Sequence, residues 1–427
     1  MALRQLSPRN ALVILTGLNL LNYLDRQVLS AVLPALQPTL HLNDEQGGNL
    51  ATAFMIGYFV TAPFFGYLGD RASRKWLIAG GIFVWSLGTI LTGFATSYGM
   101  MLAFRVLVGV GEASYATLGP SLLADLYGPG KRNNALTIFY VAIPVGSALG
   151  FVLGGVMEAH WGWRDAFLWA GLPGLVLALV MLPFAEPKRG GCDPVSPNGP
   201  HAGHLPRARD VFKLLKRPEY ALVVLGYIAY TFALGAYAYW APTFLFRVHG
   251  MSLEGANEFI GPTLAVAGLV STFAGGFAAT VWQRRNRTGY AQMLGWSTLV
   301  SAPLALAAFM VPSTGWCMVL MAATMLALFL PTGPVNTLIL ETVPANLRAS
   351  AMALSIFMIH LFGDMWSSKI VGYLSVRGQE VHGLTRAAAL NHAVLILPLA
   401  LLVGAMLWLA LAWKMRGGRF PADAGLS

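Results

Sequence analysis

Charge is scarce in this sequence. Asp, Glu, Lys and Arg make up 11% of its 427 residues, where soluble domains carry about 25%, and that deficit excludes a water-covered globular fold. Cysteine is scarcer still, with two residues, which excludes a disulfide framework. An HExxH zinc motif, a GxSxG nucleophile turn and a Walker phosphate loop are all missing. Their absence removes the usual metallohydrolase, serine hydrolase and ATP-driven readings, so no enzyme activity, cofactor or resident metal is expected. What the chain does have is 56% hydrophobic residues and a mean hydropathy of +0.62, the composition of an integral membrane protein.

Apolar runs of about 20 residues can each cross ~30 Å of hydrocarbon as a helix. Twelve such runs are present, roughly at 10–33, 49–69, 77–96, 100–123, 135–157, 166–185, 219–246, 259–280, 289–311, 315–340, 349–374 and 389–413. The first is too long for a signal-peptide core and leads straight into further spans, so it is expected to stay as helix 1. Arg26, Arg105 and Lys369 fall inside runs, and Arg164, Arg247, Arg377 and Arg386 lie on one side; every other Lys and Arg collects on the opposite side. The positive-inside rule then predicts cytoplasmic termini in a bacterial inner membrane, and it accounts for the net charge of +10 without a nucleic acid partner. Cys192 falls in a cytoplasmic linker and Cys317 near an external helix end, so they cannot pair. The linker, 186–218, is rich in Pro, Gly and basic residues, and it divides the chain into six-helix bundles at 1–185 and 219–427. Its stretch 208–217 could lie on the inner leaflet as an amphipathic helix or serve as a plain tether.

The turn between the second and third runs reads Gly66-Tyr67-Leu68-Gly69-Asp70-Arg71-Ala72-Ser73-Arg74-Lys75. Its glycines permit close helix approach, and its charges can be shared with neighbouring helix ends in one conformation or serve only as topology charges. This pattern resembles the loop between helices 2 and 3 of the major facilitator superfamily, whose fold is a pair of six-helix repeats with the substrate path between them. The halves of this chain do repeat. Gly119-Pro120 precedes Asp125, with Arg132 seven residues further on, and Gly333-Pro334, Glu341 and Arg348 restate the pattern half a chain later. In helix 5, Gly146-Ser147-Ala148-Leu149-Gly150 looks like the glycine-rich motif of facilitator antiporters, with Phe151 where their proline usually stands. Its glycines are read as a close-packing device.

Ionisable residues inside the membrane are costly and point to function. Helix 1 carries Asn19, Asn22, Tyr23, Asp25 and Arg26, and helix 4 carries Arg105 and Glu112. Helical rise puts Asp25 about 22 Å above the cytoplasmic start, level with Arg105, so those two are the expected pair, with Glu112 lower. Glu112 is the leading proton carrier and Asp25 the second; Arg26 and Arg105 are the anion hooks, since a guanidinium grips a carboxylate or phosphate with two hydrogen bonds. A permanent ion pair that only pins the bundle is the competing reading. In helix 11, His360 and Asp364 are spaced to hydrogen-bond, either as a packing pair or as a second proton site. In helix 7, Tyr227, Tyr230 and Tyr237 could line a path for an amphipathic substrate.

Asn22-Tyr23-Leu24-Asp25-Arg26, Phe104-Arg105 and Gly109-Val110-Gly111-Glu112-Ala113 look like the spinster branch of the superfamily. Animal members of that branch move lysolipids such as sphingosine-1-phosphate and lysophospholipids, some with proton coupling. The resemblance therefore implies a secondary transporter of an amphipathic anion working by alternating access, with Asp25, Arg26, Arg105 and Glu112 as its polar network and a monomer as the working state. A proton-linked carrier of small organic or sugar acids and a non-transporting membrane sensor remain open alternatives.

Overall fold

The computed structural model describes residues 7–182, 185–187, 192, 213–343 and 347–416. Among them the regular structure is helical and forms twelve rods. In chain order these are α1 (Pro8–Thr39), α2 (Asp44–Arg71), α3 (Arg74–Gly93), α4 (Tyr98–Leu126), α5 (Pro129–Trp161) and α6 (Trp163–Met181). There follow α7 (Pro218–His249), α8 (Leu253–Arg285), α9 (Gly289–Met310), α10 (Thr314–Glu341), α11 (348–382) and α12 (Arg386–Arg416). Ten of the described helices are long and apolar enough to span a membrane by composition alone. The remaining two rods, α1 and α11, are the ones that hold Asp25 with Arg26 and His360 with Asp364.

Several rods outrun their apolar cores because their ends are capped. Ser7 accepts the Asn10 N–H at the start of α1, and Asn43 and Gln46 close a capping box at the start of α2. α1 has 32 residues, about 48 Å of helix, so a turn or more projects past the hydrocarbon at its ends. Two rods contain a π-helical turn, Ala267–Ser271 in α8 and His360–Asp364 in α11. Of the linker stretch 208–217 only residues from Lys213 onward are described, and Lys213–Lys216 forms a single 3-10 turn.

The chain forms two compact units, Met1–Pro200 with Gly250–Ala265, and His201–His249 with Val266–Ser427. Gly250–Ala265 joins the first because Asn257, fully buried on α8, donates to the Ala31 carbonyl on α1 at 3.0 Å. The first unit is centred on Trp85, Tyr115 and Phe139, with neighbouring rings 5.8 and 6.1 Å apart. There α5 lies directly on α1. A Cβ on Gly146 or Gly150 would strike the Leu20 or Leu24 carbonyl, which is the close packing that the helix 5 motif predicts.

The repeat is visible inside each unit. In the first, the Tyr115 hydroxyl of α4 donates to the Leu15 carbonyl of α1; in the second, the Tyr230 hydroxyl of α7 donates to the Leu328 carbonyl of α10. The corresponding helix pair is pinned at the corresponding level, with the donor on the opposite partner. Tyr220 and Trp408 bond the Ala351 and Val223 carbonyls and fix α7 against α11 and α12.

Candidate functional site

Helix α1 brings its polar residues into the interior of the first unit, where Asn22, Asp25, Arg105 and Glu112 are all buried. Asp25 lies within electrostatic reach of Arg105, as their level predicts, but its hydrogen bond and the ion pair of Arg26 go to different helices. Arg26 Nε donates to Glu112 Oε2 at 2.6 Å, and the recorded hydrogen bond of Asp25 comes from the Thr89 hydroxyl on α3. The reason is rotation. Asp25 and Arg26 are neighbours on one helix and point about 100° apart, so α1 turns the acid to α3 and the cation to α4.

Glu112 therefore has its cation from α1, although none stands next to it in sequence. Its Oε2 is held by Arg26, whereas Glu112 Oε1 and Asp25 Oδ1 are buried and take no hydrogen bond from the protein. Asn22 faces Glu112 within reach of its carboxylate, without closing a hydrogen bond. Aromatic faces complete the site. The Arg26 guanidinium carbon stands 4.9 Å from the Tyr23 ring centre, 5.1 Å from Phe54 and 5.3 Å from Tyr58, and that of Arg105 stands 5.1 Å from the same Phe54 ring. Two guanidinium groups thus share one phenyl ring, each favoured by its quadrupole. Phe54, Tyr58 and Thr89 are neighbours of the candidate site that the sequence reading missed. The only signal for them was that Phe54 and Tyr58 lie four apart on α2, on the face turned to α4.

In the second unit, Tyr230 and Tyr237 are 1% and 3% exposed, and their hydroxyls donate to the Leu328 and Met321 carbonyls on α10. Tyr227 is half-buried, with its ring centre 6.0 Å from that of Tyr230. His360 Nδ1 meets both Asp364 oxygens, at 3.0 and 2.9 Å, within the π-helical turn of α11, as their spacing predicts.

At the basic turn the cations separate into two kinds. Arg71 is exposed and lies 3.6 Å over the Tyr67 ring, and Asp70 is exposed beside it. Arg74 and Lys75 are buried: Arg74 pairs with Asp125 at 2.6 Å and with Glu186 at 3.2 Å, and Lys75 donates to the Leu182 carbonyl at 2.9 Å. Glu186, absent from the sequence reading, also accepts from the Ser73 hydroxyl and the Arg74 N–H. Burial pushes its carboxyl up, but the Ser73 and Arg74 donors and the guanidinium charge outweigh that and hold it below the usual glutamate range. Arg132 Nε caps the end of α4 by donating to the Ala124 and Tyr127 carbonyls. A Cβ on Gly69 would strike the Leu118 side chain, whereas Gly66 has room, its nearest neighbour being Thr117 at 3.8 Å. In the second half, Glu341 ends α10 within electrostatic reach of Arg348, which is exposed at the start of α11.

The known proteins that resemble this chain agree with one another. The Major Facilitator Superfamily pattern matches residues 15–363. Protein spinster of Drosophila melanogaster is 34% identical over 85% of this chain, which spans 61% of that protein's length. The sphingosine-1-phosphate transporter of Danio rerio is 32% identical over 96% of this chain and 85% of its own, and human protein spinster homolog 1 is 35% identical over 87% and 74%. Among solved structures, a bacterial homologue of the human lysosomal transporter spinster, inward-facing and unoccupied, superposes with a TM-score of 0.88 at 23% identity, covering 98% of this chain and 100% of its own. A D-xylose–proton symporter follows at 0.69 and 17% identity, over 91% and 96%. The twelve-helix architecture and these similarities lead to one assignment: the chain is a multi-pass membrane transporter of the Major Facilitator Superfamily and belongs to its spinster branch.

Proposed function

We propose that the chain moves an amphipathic anion of the lysophospholipid or sphingoid-phosphate type by alternating access, coupled to protons, across a bacterial inner membrane with both termini cytoplasmic. The observation that carries this reading is the ion pair at 2.6 Å between half-buried Arg26 and fully buried Glu112, with Arg105 and Asp25 close by. Arg26 and Arg105 hold the substrate's phosphate, Tyr23 and Asn22 flank it, and Glu112 is the competing internal anion. While Glu112 is ionised it occupies Arg26. A proton on Glu112 removes that charge and frees the guanidinium, so proton and anion bind in the same sense, the coupling of a symporter. Asp25, held by Thr89, is the second proton site. As the bundles 1–185 and 219–427 alternate about the linker 186–218, Asp70, Arg71, Arg74 and Lys75 of the basic turn, with Asp125, Arg132, Glu341 and Arg348, exchange partners at the cytoplasmic helix ends.

The test is uptake into proteoliposomes under an imposed proton gradient, with labelled lysophospholipid and sugar-acid panels. The parent should move the lipid with an apparent affinity that rises as pH falls, because protonation vacates Arg26. Glu112→Gln should keep binding and lose both the pH dependence and gradient-driven accumulation. Sugar-acid uptake without lipid uptake would replace the substrate class, and binding without transport on either panel would leave a sensor.

A further inference from the structure

Close to its start, α12 is interrupted at Val394 and Leu395, where Pro398 supplies no N–H for the Val394 carbonyl. The end of α11 closes in a tight turn just before α12 begins. Gly383 takes φ +64°, a left-handed conformation that favours glycine, and the N–H groups of Gly383 and Leu384 reach back to the Gln379 and Gly378 carbonyls at 3.1 and 3.3 Å. The break and the turn leave a trough of about 640 Å³ between the two helices. Leu374, Ile396 and Leu399 supply apolar wall, Arg377, His382 and His392 supply polar groups, and among the described residues no carboxylate lines it.

The trough has the layout of an amphiphile site. Arg377 lies about 8 Å from the end of α11, near the level of the membrane surface, whereas Leu399 lies about 20 Å into α12, at the depth of acyl chains. Leu399 is 58% exposed on a spanning helix, so the trough is open along this wall rather than enclosed. Arg377 Nε is steadied by the Tyr373 hydroxyl at 3.0 Å, which orients the guanidinium without adding an opposing charge. Glu380, its acidic neighbour on α11, is exposed and lies within electrostatic reach of Arg377, but stands outside the lining.

We propose that this trough binds an anionic diacyl phospholipid of the adjoining leaflet, its phosphate against Arg377, His382 and His392 and one acyl chain along Leu374, Ile396 and Leu399. A guanidinium takes two phosphate oxygens in its fork, and each imidazole can donate one further hydrogen bond whatever its charge. The volume suits a headgroup and the upper part of one chain. This site shares no residue with the α1–α4 network and does not depend on the transport reading.

Native mass spectrometry of the full chain, carried through mixed micelles of phosphatidylglycerol and phosphatidylcholine, tests it. The parent should retain phosphatidylglycerol preferentially. Arg377→Gln should cut that retention about tenfold, the worth of one charge-assisted contact. Leu399→Trp, which fills the wall, should weaken it as well, and Arg386→Gln, at the same membrane face but outside the trough, should leave it unchanged. Equal retention of the two lipids by the parent, or undiminished retention in both trough variants, overturns the proposal. So does displacement of the lipid by millimolar inorganic phosphate, which would make this a free-phosphate site.

Discussion

At the scale of the residue, the chemistry of the first unit turns on which way Arg26 points. Its guanidinium lies over Tyr23, Phe54 and Tyr58 and bonds Glu112 through Nε. A lysine would keep the charge and lose the planar fork and the ring stacking. Arg26→Lys should therefore fold normally and bind a labelled lysophospholipid about tenfold more weakly, measured by equilibrium binding in detergent. Undiminished affinity would mean that charge alone holds the anion. The identities of Asn22, Tyr23, Asp25, Arg26, Arg105 and Glu112 were legible in the sequence because charged and amide side chains stand out in an apolar run. Their hydrogen-bond partners were not. Spacing along a chain fixes height on a helix, but rotation about the axis is set by packing, and rotation sends Asp25 to Thr89 and Arg26 to Glu112. Thr89 carried no signal and Phe54 only its spacing to Tyr58, since a phenylalanine or a threonine in a membrane helix is ordinary composition.

At the scale of the element, small residues decide how near two helices come. A Cβ on Gly150 would strike the Leu24 carbonyl, backbone that cannot swing aside, whereas Gly80 on α3 has no neighbour within 4 Å of such an atom. Gly150→Ala should destabilise the protein by about 2 kcal/mol. Gly80→Ala should be neutral or stabilising by about 0.5 kcal/mol, because alanine loses less backbone entropy on entering a helix. Thermal unfolding of the two variants in detergent compares them directly, and equal shifts would show that α1 and α5 are free to part. Apolar run length made the rods legible, together with the glycine motif. The break at Val394 and Leu395 sits just before Pro398, which marks it, whereas the π-helical turn His360–Asp364 was not legible, because no local residue preference requires it. The same limit applies to α7. Aromatic composition marked Tyr230 and Tyr237, but only the packed structure shows their hydroxyls spent on α10 carbonyls.

At the scale of the molecule, the uneven charge is a statement about orientation. The basic turn at Arg71–Lys75, the linker and the last turn of α12 with Lys414 and Arg416 carry cations on one side, against Arg164, Arg247, Arg377 and Arg386 on the other. Holding the first group on the side of the anionic inner leaflet is worth about 1 kcal/mol for each cation near the surface, more than enough to choose one orientation over its inverse. The two cysteines supply a test without further mutation, because Cys192 in the linker is exposed and Cys317 in α10 is buried. A membrane-impermeant maleimide should label inside-out vesicles and spare right-side-out ones, and Cys192→Ser should abolish the signal in both. Labelling of right-side-out vesicles would place the linker outside. The cations would then lie against the positive-inside rule, and the Arg74–Asp125–Glu186 cluster would close the outer end of the first unit rather than the cytoplasmic one.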